Sequence, residues 1–424
     1  MSNYTELNHI NVPIRVWGDI DNIDRATLNE IKRVANLPYA KSHVALMADG
    51  HATGGYMPVG GVLATKDVVV PDAVSNDIGC GIIFKQTNID ASVLEEKEDG
   101  ITLAQKLVNN ILGAVPTGRE HWKINPEVSN NMRLKELNID LYDRFSSTII
   151  DNDKVVRNDT VNKLIEQSYE IVGTLGGGNH FIEIQKNQDN KIAIMIHTGS
   201  RSVGSIVNNY FHNLAEKKNK EWYIDVIADD IIPFLPLRSA EGEAYLDAMQ
   251  YALDIAKLNR EVLMQKAENA LKDVLRLTDY IDYEITKEVN AHHNYASYEN
   301  VNGVNYMVHR KGAIRAREND IVPIAGAMGA NSYICKGKSS PDSFKSCSHG
   351  AGRVHSRTSA RKEFSVEEVK EDLAEKNIAI AVDSLEGVVE EYRLAYKNID
   401  DVIKEQEDLI EVVDVLSTVA VVKG

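Results

Sequence analysis

Glycine clusters recur along this chain at 49–61, 173–178, 199–204, 326–329 and 350–352, each beside an apolar run or a histidine. Such segments cannot fill a core. They let a second backbone, or a ligand, come close. Pieces so far apart in sequence build one site only if the chain closes on itself as a unit. The expectation is one large α+β domain over residues 1–424, not two separable ones.

Length and composition permit this. The chain has 424 residues, 43% of them hydrophobic, enough for a sizeable core. The formal charge is −16, which argues against general nucleic-acid binding but leaves room for a local basic cleft. Cys80, Cys335 and Cys347 are too few for a disulfide framework and point to a reducing compartment. The first residues carry no apolar signal segment, and runs such as "IAIMI" are too short to span a bilayer. A cytoplasmic protein without membrane segments is expected.

Apolar periodicity and capping residues predict helices over 24–38, 101–115, 158–176, 239–275 and 398–416. Strands are expected over 60–65, 81–87, 180–185, 191–197, 303–310, 321–326 and 377–382. The two kinds intermix without βαβ rhythm, repeats or low-complexity linkers.

The reactive side chains gather at glycine-flanked strand ends. "SNDIGCG" holds Asp77 and Cys80; "GGGNHFIE" holds Asn179, His180 and Glu183. "IHTGSRSVG" holds His197 and Arg201, and "NAHHNYA" holds His292 and His293. A strand end fixes a side chain while the turn leaves it open. Each residue alone has a bland explanation. A buried cysteine is usually a small hydrophobe. A strand-end histidine is more often simply satisfied, and Arg201 and Arg353 read equally as ion-pair partners. One member of the His292–His293 pair is expected to be structural. Together, one Asp, one Cys and several His fit a mixed S/N/O transition-metal site, with Zn, Fe, Co or Mn all permitted. The cysteine spacing is not that of a zinc finger. Along "NHFIE", alternation puts Asn179 and Glu183 on one face and His180 on the other, so a metal and a polar ligand such as a nucleobase edge could share the strand. "CKGKSS" (335–340) resembles the tail of a P-loop, but Ser332 stands where the first glycine is required.

These motifs, with "HRKGA", "SCSHGAGRVHSR" and the terminal "VVKG", resemble the RtcB RNA ligases over about residues 40–424. The resemblance implies an α+β fold of central β-sheets surrounded by helices. It implies joining of RNA ends bearing 2′,3′-cyclic phosphate or 3′-phosphate to 5′-hydroxyl ends, with GTP and two Mn²⁺ ions. The partners would be broken tRNA or rRNA fragments; an activating protein partner and the oligomeric state are left open. Cys80 would be shared by both ions, with Asp77 and His180 completing one shell and His197 and His293 the other. His292 would support. His349 would be the nucleophile that carries GMP, cleared by Ser348, Gly350 and Ala351. Asn179, Glu183, Gly350, Ala351, Gly352 and Lys423 would surround the guanylate, and Arg201 and Arg353 would meet phosphates. Ser75-Asn76 stands where the family has Gly-Val, and 47–61 also departs, the pattern of a divergent paralogue. The competing readings are a protein that binds broken RNA ends without joining them, and a metal-dependent cyclic phosphodiesterase.

Overall fold

The segment KIAIMIHT, Lys191–Thr198, is buried at every position but its first, as a strand in the middle of a covered sheet must be. The computed structural model describes residues 3–118, 120–121, 126–147, 149–150, 153–154, 156, 158–222, 231–277 and 283–424. Lys191–Thr198 lies inside a sheet ordered Ile285–His292, Gly81–Asp90, Lys191–Thr198, Phe181–Lys186, Ile410–Lys423, Ser332–Gly337, Ile321–Ile324, with Ala379–Val382 parallel to Ile410–Lys423. A second sheet is ordered Tyr4–Leu7, Ile14–Trp17, Val44–His51, Val59–Thr65, Val304–Lys311, Asn294–Val301. Helices pack on these sheets, giving the expected α+β class.

The two sheets share a continuous piece of chain. Ile285–His292 belongs to one and Asn294–Val301 to the other, with His293 alone between them. The chain therefore turns from sheet to sheet at a histidine.

Helix starts follow the expected chemistry. Asp24 caps Arg25–Asn36, accepting from the Thr27 N–H at 2.9 Å. Thr102 caps Leu103–Ala114, so the helix begins after residue 102 and not at 101. The helix expected over 158–176 stops at Ile171, because Gly173 and Gly176 adopt left-handed φ of 84° and 92°. Residues 239–275 form one 36-residue helix, Ala240–Leu275, about 54 Å long. The expectation of a helix over 398–416 fails. Only Ile399–Lys404 is α-helical, and Ile410–Lys423 is a 14-residue strand. Its β-branched residues Ile410, Val412, Val413 and Val415 suit a pleated surface. Both of its edges are taken, by Phe181–Lys186 on one side and Ser332–Gly337 on the other. Among the described residues no helix is long and apolar enough to cross a membrane.

The long helix does more than cover the sheet. Midway along it Asn259 and Arg260 are fully buried. Asn259 accepts from Gly173 N–H at 2.7 Å and donates to the carbonyls of Thr174 and Gly199 at 3.1 and 3.2 Å. Arg260 donates to the carbonyls of Gly79 and Thr198 at 2.8 and 2.9 Å, and to Asn290 Oδ1 at 2.8 Å. Two adjacent side chains thus tie glycine turns from distant sequence to one point. Replacing Arg260 by Met strands buried carbonyls, so it is expected to lower stability by about 3 kcal/mol or more. A urea midpoint matching wild type would show that the clamp does not hold these turns.

Candidate metal centre and adjoining cavity

Strand register brings the reactive residues together. Cys80 precedes Gly81–Asp90, where Gly81 pairs with Thr198 and Ile82 with His197. His197 also pairs with Phe181, which places His180 one residue back at the same end. The His293 N–H donates to the Cys80 carbonyl at 2.8 Å, and the Cys80 N–H to the Asp77 carbonyl at 3.1 Å.

Cys80 Sγ lies 3.5 Å from His180 Nε2 and 3.3 Å from His197 Nε2, and His197 Nε2 lies 3.0 Å from His293 Nε2. Asp77 Oδ2 is 3.6 Å from His180 Nε2. Two triads, Asp77–Cys80–His180 and Cys80–His197–His293, each have ligand atoms within 4.8 Å of one another and share the sulfur. The other ring nitrogens reveal the protonation. Nδ1 of His180 faces the Leu175 carbonyl at 3.1 Å, that of His197 the Asn179 carbonyl at 3.1 Å, and that of His293 Asn294 Oδ1 at 3.2 Å. A ring nitrogen against a carbonyl oxygen carries the proton. On His197 and His293 this leaves Nε2 as a lone pair aimed at the cluster, whereas at His180 the Asp77 carboxylate faces Nε2 and favours a proton there. The single Cys80 thiol proton can satisfy only one of these lone pairs. Burial holds His197 and His293 far below the ordinary imidazole range, so protonating these rings is no remedy. Burial, reinforced by Asp77, pushes the Cys80 thiol well up. Burial also opposes ionisation of Asp77, yet contact with His180 brings its carboxyl down to about 2. A transition-metal cation would displace the thiol proton and meet every lone pair, so the donor set fits one.

His292 lies outside both triads. Its Nδ1 is 3.0 Å from the Gly79 carbonyl and 3.1 Å from an Arg260 nitrogen. Arg201 also stands back, behind His180, donating to the Gly118 carbonyl at 2.9 Å while its Nε has no partner among the described residues.

His349 follows the strand Ser346–Ser348, which pairs with Ala313–Arg315. One oxygen of the fully buried Asp49, Oδ2, accepts from His349 Nδ1 at 2.6 Å, His349 N–H at 3.0 Å and Gly350 N–H at 3.3 Å. Burial resists ionisation of Asp49, but the charge and hydrogen bonds of His349 hold its carboxyl below the usual range. With Nδ1 committed as donor, the neutral His349 ring carries its lone pair on Nε2. The His349 ring is 4.4 Å, centroid to centroid, from His293. Gly352, at φ 75°, has no room for a side chain, since a Cβ would run into the Asp49 carbonyl oxygen.

The His349 ring also lines a cavity of about 440 Å³. Asn179, Glu183, Gly350, Ala351, Gly352 and Lys423 line the same cavity, as does Arg353, whereas Arg201 does not. Lys423 pairs with Phe181 in the sheet and donates Nζ to the Gly178 carbonyl at 3.0 Å, so the penultimate residue is a wall. Burial lifts the Glu183 carboxyl to about 7 despite the Gln185 hydrogen bond and the Lys423 charge. Arg353 is braced by Glu391 at 3.1 Å and Tyr396 at 2.8 Å.

Several of these partners are absent from the sequence-based set. Asp49 and His51 sit in "MADGH", a carboxylate and an imidazole at a glycine cluster, the same signal that singles out "SNDIGCG". Arg260 sits in "AKLNREV" of a Pro-free helix, where it reads as one more solvated cation beside Lys257 and Glu261. Glu391 and Tyr396 give no signal, since "VVEEYRLAY" reads as an ordinary amphipathic piece.

A family model described as "tRNA-splicing ligase RtcB" matches residues 30–424. The chain belongs to the RtcB family. It is 35% identical over 442 aligned residues to the RNA-splicing ligase RtcB of Escherichia coli (strain K12), covering 100% of each chain. It is 31% identical to the tRNA-splicing ligase RtcB of Nanoarchaeum equitans, covering 98% of this chain and 96% of the relative. With the Thermococcus kodakarensis tRNA-splicing ligase RtcB the identity is 29%, over 93% and 90%. This RtcB-family chain thus aligns with its relatives across sheets, cluster and cavity alike.

Two outcomes are expected. Cys80→Ala removes the atom common to both triads, so Mn²⁺ affinity in calorimetry should fall at least about tenfold; wild-type affinity would exclude a shared sulfur. Glu183 tests burial. Its folded pKa of about 7 lies above its ordinary value of 4.5, so the folded state holds a proton that the unfolded state has released. Stability from this group is full below pH 4.5 and declines as pH rises to 7. Glu183→Gln should therefore match wild type near pH 4 and exceed it by up to about 3 kcal/mol at pH 8. Urea curves with equal pH dependence would contradict the raised value.

Proposed function

We propose that this RtcB-family protein is a cytoplasmic RNA ligase, acting as one domain over 1–424. It joins 2′,3′-cyclic-phosphate or 3′-phosphate ends to 5′-hydroxyl ends, using GTP and two Mn²⁺ ions, in RNA repair or tRNA splicing. The names of its relatives support this reading. The observation that carries it is the 2.6 Å hydrogen bond from His349 Nδ1 to Asp49, which leaves a free Nε2 on a ring at the border of cavity and cluster. One cation would be held by Asp77, Cys80 and His180 and the other by Cys80, His197 and His293, and when bound they would neutralise charge gathering on phosphate oxygens.

His349 Nε2 attacks the α-phosphorus of GTP; the P–N bond forms and the P–O bond to pyrophosphate breaks. Asp49 keeps the Nδ1 proton and steadies the positive ring. An oxygen of the RNA 3′-phosphate then takes GMP, breaking the P–N bond. The 5′-hydroxyl attacks that activated 3′-phosphorus, loses its proton to solvent, and GMP leaves. A cyclic phosphate must first be hydrolysed to a 3′-monophosphate. Ionised Glu183 accepts guanine N1–H and N2–H, donors that adenine lacks in that arrangement. Asn179, Lys423 and the 350–352 turn close around the guanylate. Arg353 meets phosphates from the cavity wall, and Arg201 meets RNA from behind His180.

Incubation with GTP and MnCl₂ should yield an acid-labile, hydroxylamine-resistant GMP adduct mapping to His349. His349→Ala should give none, and Asp49→Asn should slow its formation by about 10² or more. An adduct on a lysine, or one that survives His349→Ala, would refute the assignment. Opening of the cyclic phosphate without any adduct would favour the phosphodiesterase reading.

A further inference from the structure

Beyond the nucleotide cavity the surface continues as two further hollows of about 400 and 660 Å³. Their walls are contiguous. Ala327 and Tyr396 line both the first cavity and the 400 Å³ hollow. Gly329, Ala330, Asn331 and Lys376 line both that hollow and the 660 Å³ one. The loop after Ile321–Ile324 therefore forms one flank of a trough that leads away from His349.

The trough has the wrong sign for this protein. The chain as a whole has 47 Lys and Arg against 63 Asp and Glu. The two outer hollows are lined by five cations, Lys97, Lys186, Lys376, Arg393 and Lys397, against two carboxylates, Glu95 and Asp400. Asp372 offsets part of this, binding Arg393 at 2.7 Å and Lys376 at 3.1 Å. Lys397 is turned inward, donating to the carbonyls of Ala48 and Gly50 at 2.9 Å each, with Asp49 and Glu405 acting on its charge. Lys97 and Lys186 have no ion-pair partner among the described residues. Lysines left free in a hollow of an acidic protein lose little by meeting an anion. Asn377, Ser417 and Thr418 add neutral hydrogen-bonding groups, and Leu394, 47% exposed, offers an apolar surface for a base.

We infer that this trough carries the backbone of single-stranded RNA running away from the reacting end, with Lys97 and Lys186 as its outermost phosphate contacts. The inference rests on the ligase reading and extends it to a surface outside the nucleotide cavity. The occupant is a phosphodiester strand because the cations are spread along a channel of successive hollows instead of converging on one point.

The test is direct binding of 3′-phosphate single-stranded RNA, read by fluorescence anisotropy and independent of turnover. A short RNA of about 4 nucleotides and a longer one of about 12 are compared. Wild type should bind the longer RNA more tightly. The Lys97→Gln/Lys186→Gln double variant should lose most of that gain. Its slope of log affinity against log salt should fall by about 1.4, roughly 0.7 per lost contact. Its affinity for the short RNA and its GMP adduct formation should match wild type. The Lys217→Gln/Lys220→Gln double variant, a charge-matched change on the exposed face of Ser202–Glu221, should alter binding of neither RNA. Unchanged affinity and slope for the longer RNA would overturn the trough, as would an equal loss on both lengths. If wild type binds RNA with this length dependence but forms no adduct, the ligase reading fails and the trough stands.

Discussion

Three imidazole Nε2 atoms are turned toward one buried thiol, and two of them, on His197 and His293, stand 3.0 Å apart. Carbonyls fix each ring from behind, so none can turn its Nε2 away without losing a hydrogen bond. Folding such a cluster costs free energy that a cation would recover. The rest of the molecule is arranged to enforce the geometry. The register of the larger sheet sets His180, His197 and Cys80 at one end. The crossing from one sheet to the other is made at His293. Asn259 and Arg260 pin the turns at 173–174, 199 and 79 from beneath.

His349 stands at the boundary between this cluster and the cavity. Its ring is close to His293 on one side, while Asp49 holds its Nδ1 and its neighbouring backbone on the other. That gives a physical reason for the glycines and alanine after it. Gly352 must pass directly over the Asp49 backbone, and Gly350 and Ala351 leave the cavity open. The end of the chain shares in this. Because Ile410–Lys423 pairs along Phe181–Lys186, Lys423 arrives beside Phe181 and its ammonium faces Glu391 at 3.6 Å.

Much of the centre is legible in the sequence because candidate metal ligands at strand ends leave a local mark: a reactive side chain, an apolar run and a glycine. Asp77, Cys80, His180 and His197 all carry it. Asp49 carries it too, but its role depends on His349, 300 positions away, and no local pattern expresses that pairing. The helical misreading of 398–416 has a similar cause. Acidic residues at 405, 407, 408, 411 and 414 imitate a solvated helix face, while the neighbours on both edges that make 410–423 a strand are themselves distant in sequence. Arg260 looks like a helix-surface cation until the carbonyls it serves are brought to it.

The two candidate cation triads share one corner, Cys80 Sγ. Anomalous scattering at the manganese edge, from crystals grown with Mn²⁺, tests that corner without any assay. Two peaks should flank Cys80 Sγ, one also in bonding range of Asp77 and His180 and the other of His197 and His293. A single peak away from the sulfur, or none within bonding range of these residues, would contradict the account.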